Sequence, residues 1–151
     1  MTQVSLPFGG DDSPAINELT IFCDGGSRGN PGPSAIGAVV FDATTDPPAL
    51  IASVSECIGT TTNNVAEYRA LIAGLEAVAH LRARIMHVRA DSMLVIKQLR
   101  GEWRVKHANM KPLYDEARKL LAEYDVVDLQ HVRREENTEA DALVNAALDA
   151  D

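Results

Sequence analysis

The sequence has few of the residues that cross-link small extracellular domains, and it has no long apolar segment. Its two cysteines, Cys23 and Cys57, are too few for a disulfide framework and lack the spacing of a metal-binding cluster. No apolar run approaches the length needed to span a membrane. The first 18 residues also lack the basic and apolar pattern of a signal peptide. We therefore expect a cytoplasmic protein that does not associate with membranes.

The chain of 151 residues is long enough for a single domain with a sizeable core. Residues 1–18 contain three acids, two prolines and two glycines, a composition that is typical of a flexible arm. We expect this arm to precede one folded domain over residues 19–149.

The formal net charge of −8 argues at first against a nucleic-acid partner, because nucleic acids are themselves polyanions. The charge is unevenly distributed, however. In residues 95–111, here called the basic segment, one acid, Glu102, stands against five cations: Lys97, Arg100, Arg104, Lys106 and Lys111. This segment is a candidate surface for phosphate groups, although such runs are also common on solvated faces that bind nothing.

The spacing of apolar residues predicts alternating strands and helices. Period-two patterns predict five strands, over residues 19–24, 35–41, 50–58, 85–90 and 126–132. Helical spacing and capping signals predict four helices, over residues 65–81, 92–99, 111–124 and 138–149. The order βββαβααβα indicates an α/β fold, with a five-stranded mixed sheet whose first three strands are antiparallel and whose later strands follow helix crossovers.

Four acids occupy comparable places in this pattern. Asp24 and Asp91 are predicted to end the first and fourth strands, while Glu67 and Asp141 lie near the starts of two helices. Each acid alone has a structural explanation, since acids cap helices and complement helix dipoles. Ligands gather at strand ends in open α/β sheets, so the four acids together favour a convergent site.

Clustered carboxylates repel one another unless cations lie between them. Oxygen ligands without histidine or cysteine suit Mg²⁺ or Mn²⁺. Two such ions about 4 Å apart catalyse in-line displacement at phosphorus, one by activating a water and the other by stabilising the leaving oxygen. The acids therefore predict a two-metal site for phosphoryl chemistry.

The segment that follows Asp24, residues 25–32, contains four glycines. We interpret Gly25, Gly26 and Gly29 as positions where a phosphodiester backbone approaches Asp24, with main-chain N–H groups facing it. A nucleotide phosphate loop is excluded by context, because the segment leads into a strand rather than a helix and lacks the lysine of the G-x-x-x-x-G-K-[ST] motif.

Four blocks of sequence, in order, resemble type 1 ribonuclease H, which cuts the RNA strand of RNA–DNA hybrids. The blocks are "DGGSRGNPGPSAIG", "TTNNVAEYRALIAGLEA", "ADSMLVIKQL" and "ENTEADALVNAAL", and the resemblance covers residues 19–148. It implies the ribonuclease H-like fold, a five-stranded mixed sheet flanked by helices. It also implies that Asp24, Glu67, Asp91 and Asp141 bind the catalytic metal ions.

The resemblance further implies substrate contacts. Asn30, Asn63 and Asn64 match residues that read the minor groove of the hybrid, where the 2′-hydroxyl marks the RNA strand. Thr62 matches a residue that holds a phosphate of the DNA strand. Helix capping is the alternative for Thr62 and the two asparagines that follow it.

The sequence departs from the family pattern in three places. Met93 replaces a frequent glutamine, and residues 101–110 are too few for the basic helix and loop of many bacterial members. Trp103, in this shortened region, is expected to pack in the core. The usual loop histidine before the fourth acid is absent, because His131 is predicted to lie in the last strand. Phosphate contacts at that place are assigned instead to Arg133 and Arg134.

The sequence thus predicts a Mg²⁺- or Mn²⁺-dependent endonuclease that leaves 5′-phosphate and 3′-hydroxyl ends on the RNA of a hybrid. We expect a monomer with no obligate protein partner. Two alternatives remain: a nuclease of the same fold that acts on double-stranded RNA or a DNA junction, and a non-catalytic hybrid-binding module. Against the second, an inactive relative is expected to lose at least one acid, and all four are present.

Overall fold

A computed structural model describes residues 16–151. Most of the arm predicted over residues 1–18 lies outside the described residues, so its flexibility stays a prediction. Within residues 16–151, no helix is long and apolar enough to cross a membrane.

The nine predicted elements are all present in the predicted order. The strands are β1 (Glu18–Ser27), β2 (Gly32–Asp42), β3 (Ala49–Thr61), β4 (Ile85–Ala90) and β5 (Val126–His131). The helices are α1 (Asn63–Val78), α2 (Met93–Leu99), α3 (Lys111–Leu121) and α4 (Thr138–Ala150). Short 3-10 turns follow α1 at Ala79–Leu81 and precede α4 at Arg134–Glu136.

The strands form one mixed sheet in the order β3-β2-β1-β4-β5. The first three strands pair antiparallel, whereas β4 pairs parallel to both β1 and β5. This arrangement confirms the predicted fold class. It also places β1 and β4 side by side at the centre of the sheet, with their carboxyl ends at the same edge.

Helices cover both faces of the sheet. On one face, Ile36 and Ala38 of β2 belong to the main core, to which α1, α2 and α3 contribute. On the other face, Ala35 packs against Val144 and Leu148 of α4. The two sets of β2 residues alternate because successive side chains of a strand point to opposite faces.

Strand β1 is longer than predicted. It does not end at Asp24 but continues to Ser27, and residues 25–27 pair with residues 34–36 of β2. Glycine weakens a strand by propensity, so the sequence pattern favoured a turn. The ladder with β2 overrides that propensity and makes Asp24 a residue within the strand.

Candidate active site

Three of the four acids meet where the central strands end. Asp24 lies in β1 and Asp91 directly follows β4, and the two are neighbours because Cys23 pairs with Ala90 in the parallel ladder. Glu67 reaches the same point from α1. One carboxylate oxygen from each of these acids lies within 4.8 Å of the other two.

The start of α1 is held against β1 so that Glu67 faces Asp24. The Thr62 hydroxyl caps the helix by accepting the Val65 N–H at 3.3 Å. The Gly25 N–H then donates to Glu67 Oε1 at 2.6 Å. A Cβ at Gly25 would lie 2.2 Å from the main-chain carbon of Ala66. The close approach that we predicted for a phosphodiester at Gly25 is therefore made by α1.

Asp141 lies on the first turn of α4, at the rim of the same cavity. The Asp141 N–H donates to the main-chain oxygen of Asn137 at 3.1 Å. The buried side chain of Asn137 in turn donates to the Cys23 carbonyl in β1 at 2.9 Å. Asn137 thus ties the start of α4 to the residue before Asp24. We had not singled it out, because in sequence an asparagine before a helix indicates only a cap.

Burial and mutual repulsion make the acid cluster hard to ionise. Burial, followed by the charges of Asp91 and Asp141, raises the pKa of Asp24 from 3.8 to about 7. Burial, with Asp24 and Asp91, also holds the pKa of Glu67 well above its usual range, although the Gly25 N–H opposes that shift. The cluster therefore favours either a bound proton or a bound cation.

The donor set fits a hard divalent cation. Asp91 Oδ1 is buried and has no hydrogen-bond partner, which is costly for a carboxylate unless an ion supplies the contact. Helix capping does not explain Asp91, since the Ser92 hydroxyl caps α2 by accepting the Val95 N–H at 3.2 Å. The same side chains thus meet the requirements of a metal site and fail those of a structural one.

The acids line a cavity of about 760 Å³ that we call the acid cavity. Its rim carries three arginines, Arg28, Arg133 and Arg134, which interrupt the negative charge of the floor. Asn145 and Leu148 of α4 line it as well. Cations around an acidic floor are suited to an anionic polymer whose reacting phosphate reaches the acids through metal ions.

The predicted groove-reading asparagines form part of a hydrogen-bonded framework. Asn30 Oδ1 accepts the Asn63 N–H at 3.0 Å, and Asn63 Oδ1 accepts the Ser27 N–H at 2.9 Å. Both side chains use their oxygens to join the β1–β2 turn to α1. Their amide N–H groups have no partner among residues 16–151, so they remain available as donors.

Asn64 lies next to Asn63 but lines a second cavity, of about 460 Å³. Trp103, Arg104 and Lys106 line this second cavity too. The expectation that Trp103 packs in the core is wrong, because the residue is 46% exposed. The short connection between α2 and α3 runs along the surface and leaves the indole there.

The structure places the last three predicted residues around the acid cavity. His131 is the final residue of β5, as predicted, and it nevertheless lines the cavity. Arg133 and Arg134 follow it. The guanidinium of Arg133 lies near Glu135 and Glu136, with N–O distances of 3.3 and 3.8 Å. Arg134 forms no ion pair with the described residues.

A central acid cluster on a mixed sheet with this strand order defines a candidate metal-dependent phosphoryl-transfer protein of the ribonuclease H-like class. A family model described as "Reverse transcriptase-like" matches residues 22–147. The bifunctional protein Rv2228c of Mycobacterium tuberculosis is 46% identical over 133 residues, 88% of this chain. The chain spans only 36% of the length of that relative.

Two solved structures are similar over almost their whole length. RNase H1 of Halobacterium salinarum is 41% identical, with a TM-score of 0.83 over 89% of this chain and 100% of that one. LC11-RNase H1, solved in complex with an RNA/DNA hybrid, is 37% identical, with a TM-score of 0.80 over 88% and 98% of the two chains. The chain belongs to the ribonuclease H family and to its type 1 branch.

Proposed function

We propose that this chain hydrolyses the RNA strand of RNA–DNA hybrids with the help of Mg²⁺ or Mn²⁺, leaving 5′-phosphate and 3′-hydroxyl ends. The observation that carries the proposal is the meeting of three carboxylate oxygens within 4.8 Å. The orphaned Asp91 Oδ1 and the raised pKa of Asp24 support it, since a bound cation would relieve both.

Asp24 and Asp91 are central to the cluster and would contribute to both metal positions. Glu67 would complete one position and Asp141 the other. When bound, the ions would activate the attacking water and stabilise the leaving oxygen. All four acids come from one chain, which supports activity as a monomer without a protein partner.

The chain's other residues would position the hybrid. The free amide donors of Asn30 and Asn63 lie beside the acids, where a donor can bind the 2′-hydroxyl or a base acceptor in the minor groove. Arg133 and Arg134 would bind phosphates of the cleaved strand at the start of α4. Thr62 and Asn64 face towards the second cavity and would hold the DNA strand. The hybrid of the LC11 relative supports this substrate class.

A cleavage assay on three end-labelled duplexes tests the proposal: an RNA–DNA hybrid, double-stranded RNA and double-stranded DNA, each with Mg²⁺ or Mn²⁺. We expect cleavage of the RNA in the hybrid alone. Asp91→Asn and Glu67→Gln should each lower the rate by at least about a hundredfold, because each removes a metal ligand. Asp125→Asn is the matched control, since Asp125 pairs with Arg84 on the surface.

Each other outcome has a definite meaning. Comparable cleavage of double-stranded RNA would favour the broader nuclease. Tight binding of the hybrid without cleavage in either metal would favour a non-catalytic module. Near-normal cleavage by Asp91→Asn would remove that acid from the site.

A further inference from the structure

Arg28 lies in the turn between β1 and β2 and lines the acid cavity with Asp24 and Asp141. Its Nη2 lies 2.7 Å from Oδ1 of Asp149, near the carboxyl end of α4. The two side chains are 50% and 68% exposed. The pair therefore closes the acid cavity at the end far from the start of α4, where Arg133 and Arg134 lie.

One face of α4 leads from the acids to Arg28. Asp141, Val144, Asn145 and Leu148 all line the cavity, and their spacing of three, four and seven residues places them on a single helical face. Asp149 lies eight residues after Asp141, about 12 Å along the helix axis. This distance is long enough for a strand lying over the acids to reach Arg28 with a phosphate a few nucleotides from the cut.

The main chain of Arg28 is fixed without help from Asp149. Its N–H donates to the Pro33 carbonyl at 2.8 Å across the turn. The Ser27 hydroxyl bonds to the carbonyls of Gly32 and Thr61, at 3.2 and 3.0 Å. Only the guanidinium is left to choose its partner, so an exchange from Asp149 to another anion requires no rearrangement of the turn.

The ion pair itself is weak enough to be exchanged. Exposed pairs contribute about 0–1 kcal/mol, because water solvates both partners well. A phosphodiester presents two oxygens to the planar fork of a guanidinium, as a carboxylate does. Asp149 therefore resembles a phosphate in both charge and geometry.

We propose that Arg28 binds a phosphate of the cleaved strand and that Asp149 competes with this phosphate in the free protein. The inference rests on the proposed cleavage of hybrids. It assigns opposite effects to the two partners of one ion pair: Arg28 promotes binding of the substrate, and Asp149 opposes it. A pair that merely fastened the turn to α4 would give both partners the same effect.

The test compares the steady-state kinetics of hybrid cleavage for Arg28→Ala, Asp149→Asn and the double variant. Arg28→Ala should raise KM by about three- to tenfold with kcat within about twofold, and it should reduce the salt dependence of kcat/KM by about one contact. Asp149→Asn should lower KM by about two- to threefold. In the Arg28→Ala background, Asp149→Asn should have no effect. Asp151→Asn is the matched control, because it removes the same charge from a nearby exposed acid.

The outcomes separate this inference from the proposed function. If the wild-type protein does not cut the hybrid in either metal, the proposed function fails. If the wild-type protein cuts it and Arg28→Ala has the wild-type KM, the inference alone is wrong. It is also wrong if both single variants raise KM and lower the melting temperature together, which is the behaviour of a structural fastening. A decrease in KM for Asp151→Asn equal to that of Asp149→Asn would reduce the effect to general charge and overturn the specific competition.

Discussion

At the scale of single residues, Asp24 shows how the site opposes the fold. It is only 5% exposed and lies beside other acids, so that its pKa rises to about 7. A polar residue in this position would be expected to form compensating hydrogen bonds if its role were structural. Places where local rules of stability are broken without compensation are typical of functional sites. The acid cluster meets that description more clearly than any single capping residue does.

His131 and Arg134 both line the acid cavity, and they invite different roles. His131 is fixed at the end of β5, whereas a residue that helps the product leave would need a mobile loop. We expect His131→Ala to lower kcat by less than about tenfold, below the usual contribution of a general acid or base. Arg133→Ala or Arg134→Ala should cost more, because each removes a phosphate contact near the acids. Steady-state kinetics of the three variants measure the difference.

A matched control for these variants is His107→Ala, which removes an imidazole that lines only the second cavity. A hundredfold loss of kcat in His131→Ala would contradict the prediction if the variant folds normally. Loss of an ionisation near neutral pH from its rate profile would then identify His131 as the proton-transfer residue. In that case, its spacing of ten residues before Asp141 would have been the better guide.

At the scale of elements, the basic segment divides into engaged and free cations. Lys97 pairs with Glu102 at 2.8 Å, and Lys111 pairs with Asp115 at 2.7 Å. Arg100 donates to the Leu129 carbonyl at 3.0 Å and so fastens α2 to β5. Arg104 and Lys106 form no ion pair within residues 16–151, and they line the second cavity beside Trp103. The excess charge of the segment is thus concentrated in the loop between α2 and α3.

We expect Arg104→Ala and Lys106→Ala together to raise KM for the hybrid by about tenfold and to flatten its salt dependence by about two contacts. Both residues are exposed and unpaired in the described part of the chain, so they are free to bind phosphates of the DNA strand. Lys111→Ala is the control, because that lysine is already paired within α3. Measurements of kcat/KM at several salt concentrations provide the test. If the double variant keeps the salt slope and KM of the wild type, the loop is only a solvated surface.

The sequence was a good guide to elements and a poorer guide to their limits. Periodicity located all nine elements, because each buries a regular apolar face. It did not predict that β1 extends to Ser27, since pairing with β2 is a tertiary effect that outweighs the low strand propensity of glycine. It also misplaced Trp103, because a lone aromatic in a short loop carries no periodic signal.

At the scale of the whole molecule, the convergence of the acids was predictable from topology, and the roles of their supports were not. The ends of β1 and β4 meet at one edge of the sheet, which brings Asp24 and Asp91 together. The glycines beside Asp24 indicated a close approach without naming the partner, which is the backbone of α1 at Gly25. Asn137 contacts Cys23 across 114 positions of sequence, and no local pattern reports such a contact.

The same cluster makes the stability of the whole molecule depend on pH when no metal is present. The pKa of Asp24 is about 7 in the folded chain and near its usual value of 3.8 in the unfolded chain. Between these values the folded state holds a proton that the unfolded state releases. Stability should therefore fall as the pH rises from about 4 to about 7, by at most about 1.4 kcal/mol per pH unit for one proton. The raised pKa of Glu67 acts in the same direction.

Urea unfolding in EDTA at pH 5.5 and 8.0 measures this effect, and we expect the midpoint to be lower at pH 8.0. His87 adds a smaller change of the same sign, because its hydrogen bonds to Glu18 and Asp128 raise its pKa against the effect of burial. Asp24→Asn should retain the part from His87, lose most of the rest, and be at least as stable as the wild type at pH 8.0. Saturating Mg²⁺ should restore the wild-type midpoint at pH 8.0, since the ion binds the carboxylates that protons leave. A wild-type midpoint that stays constant or rises between the two pH values would show that the acid cluster does not oppose folding.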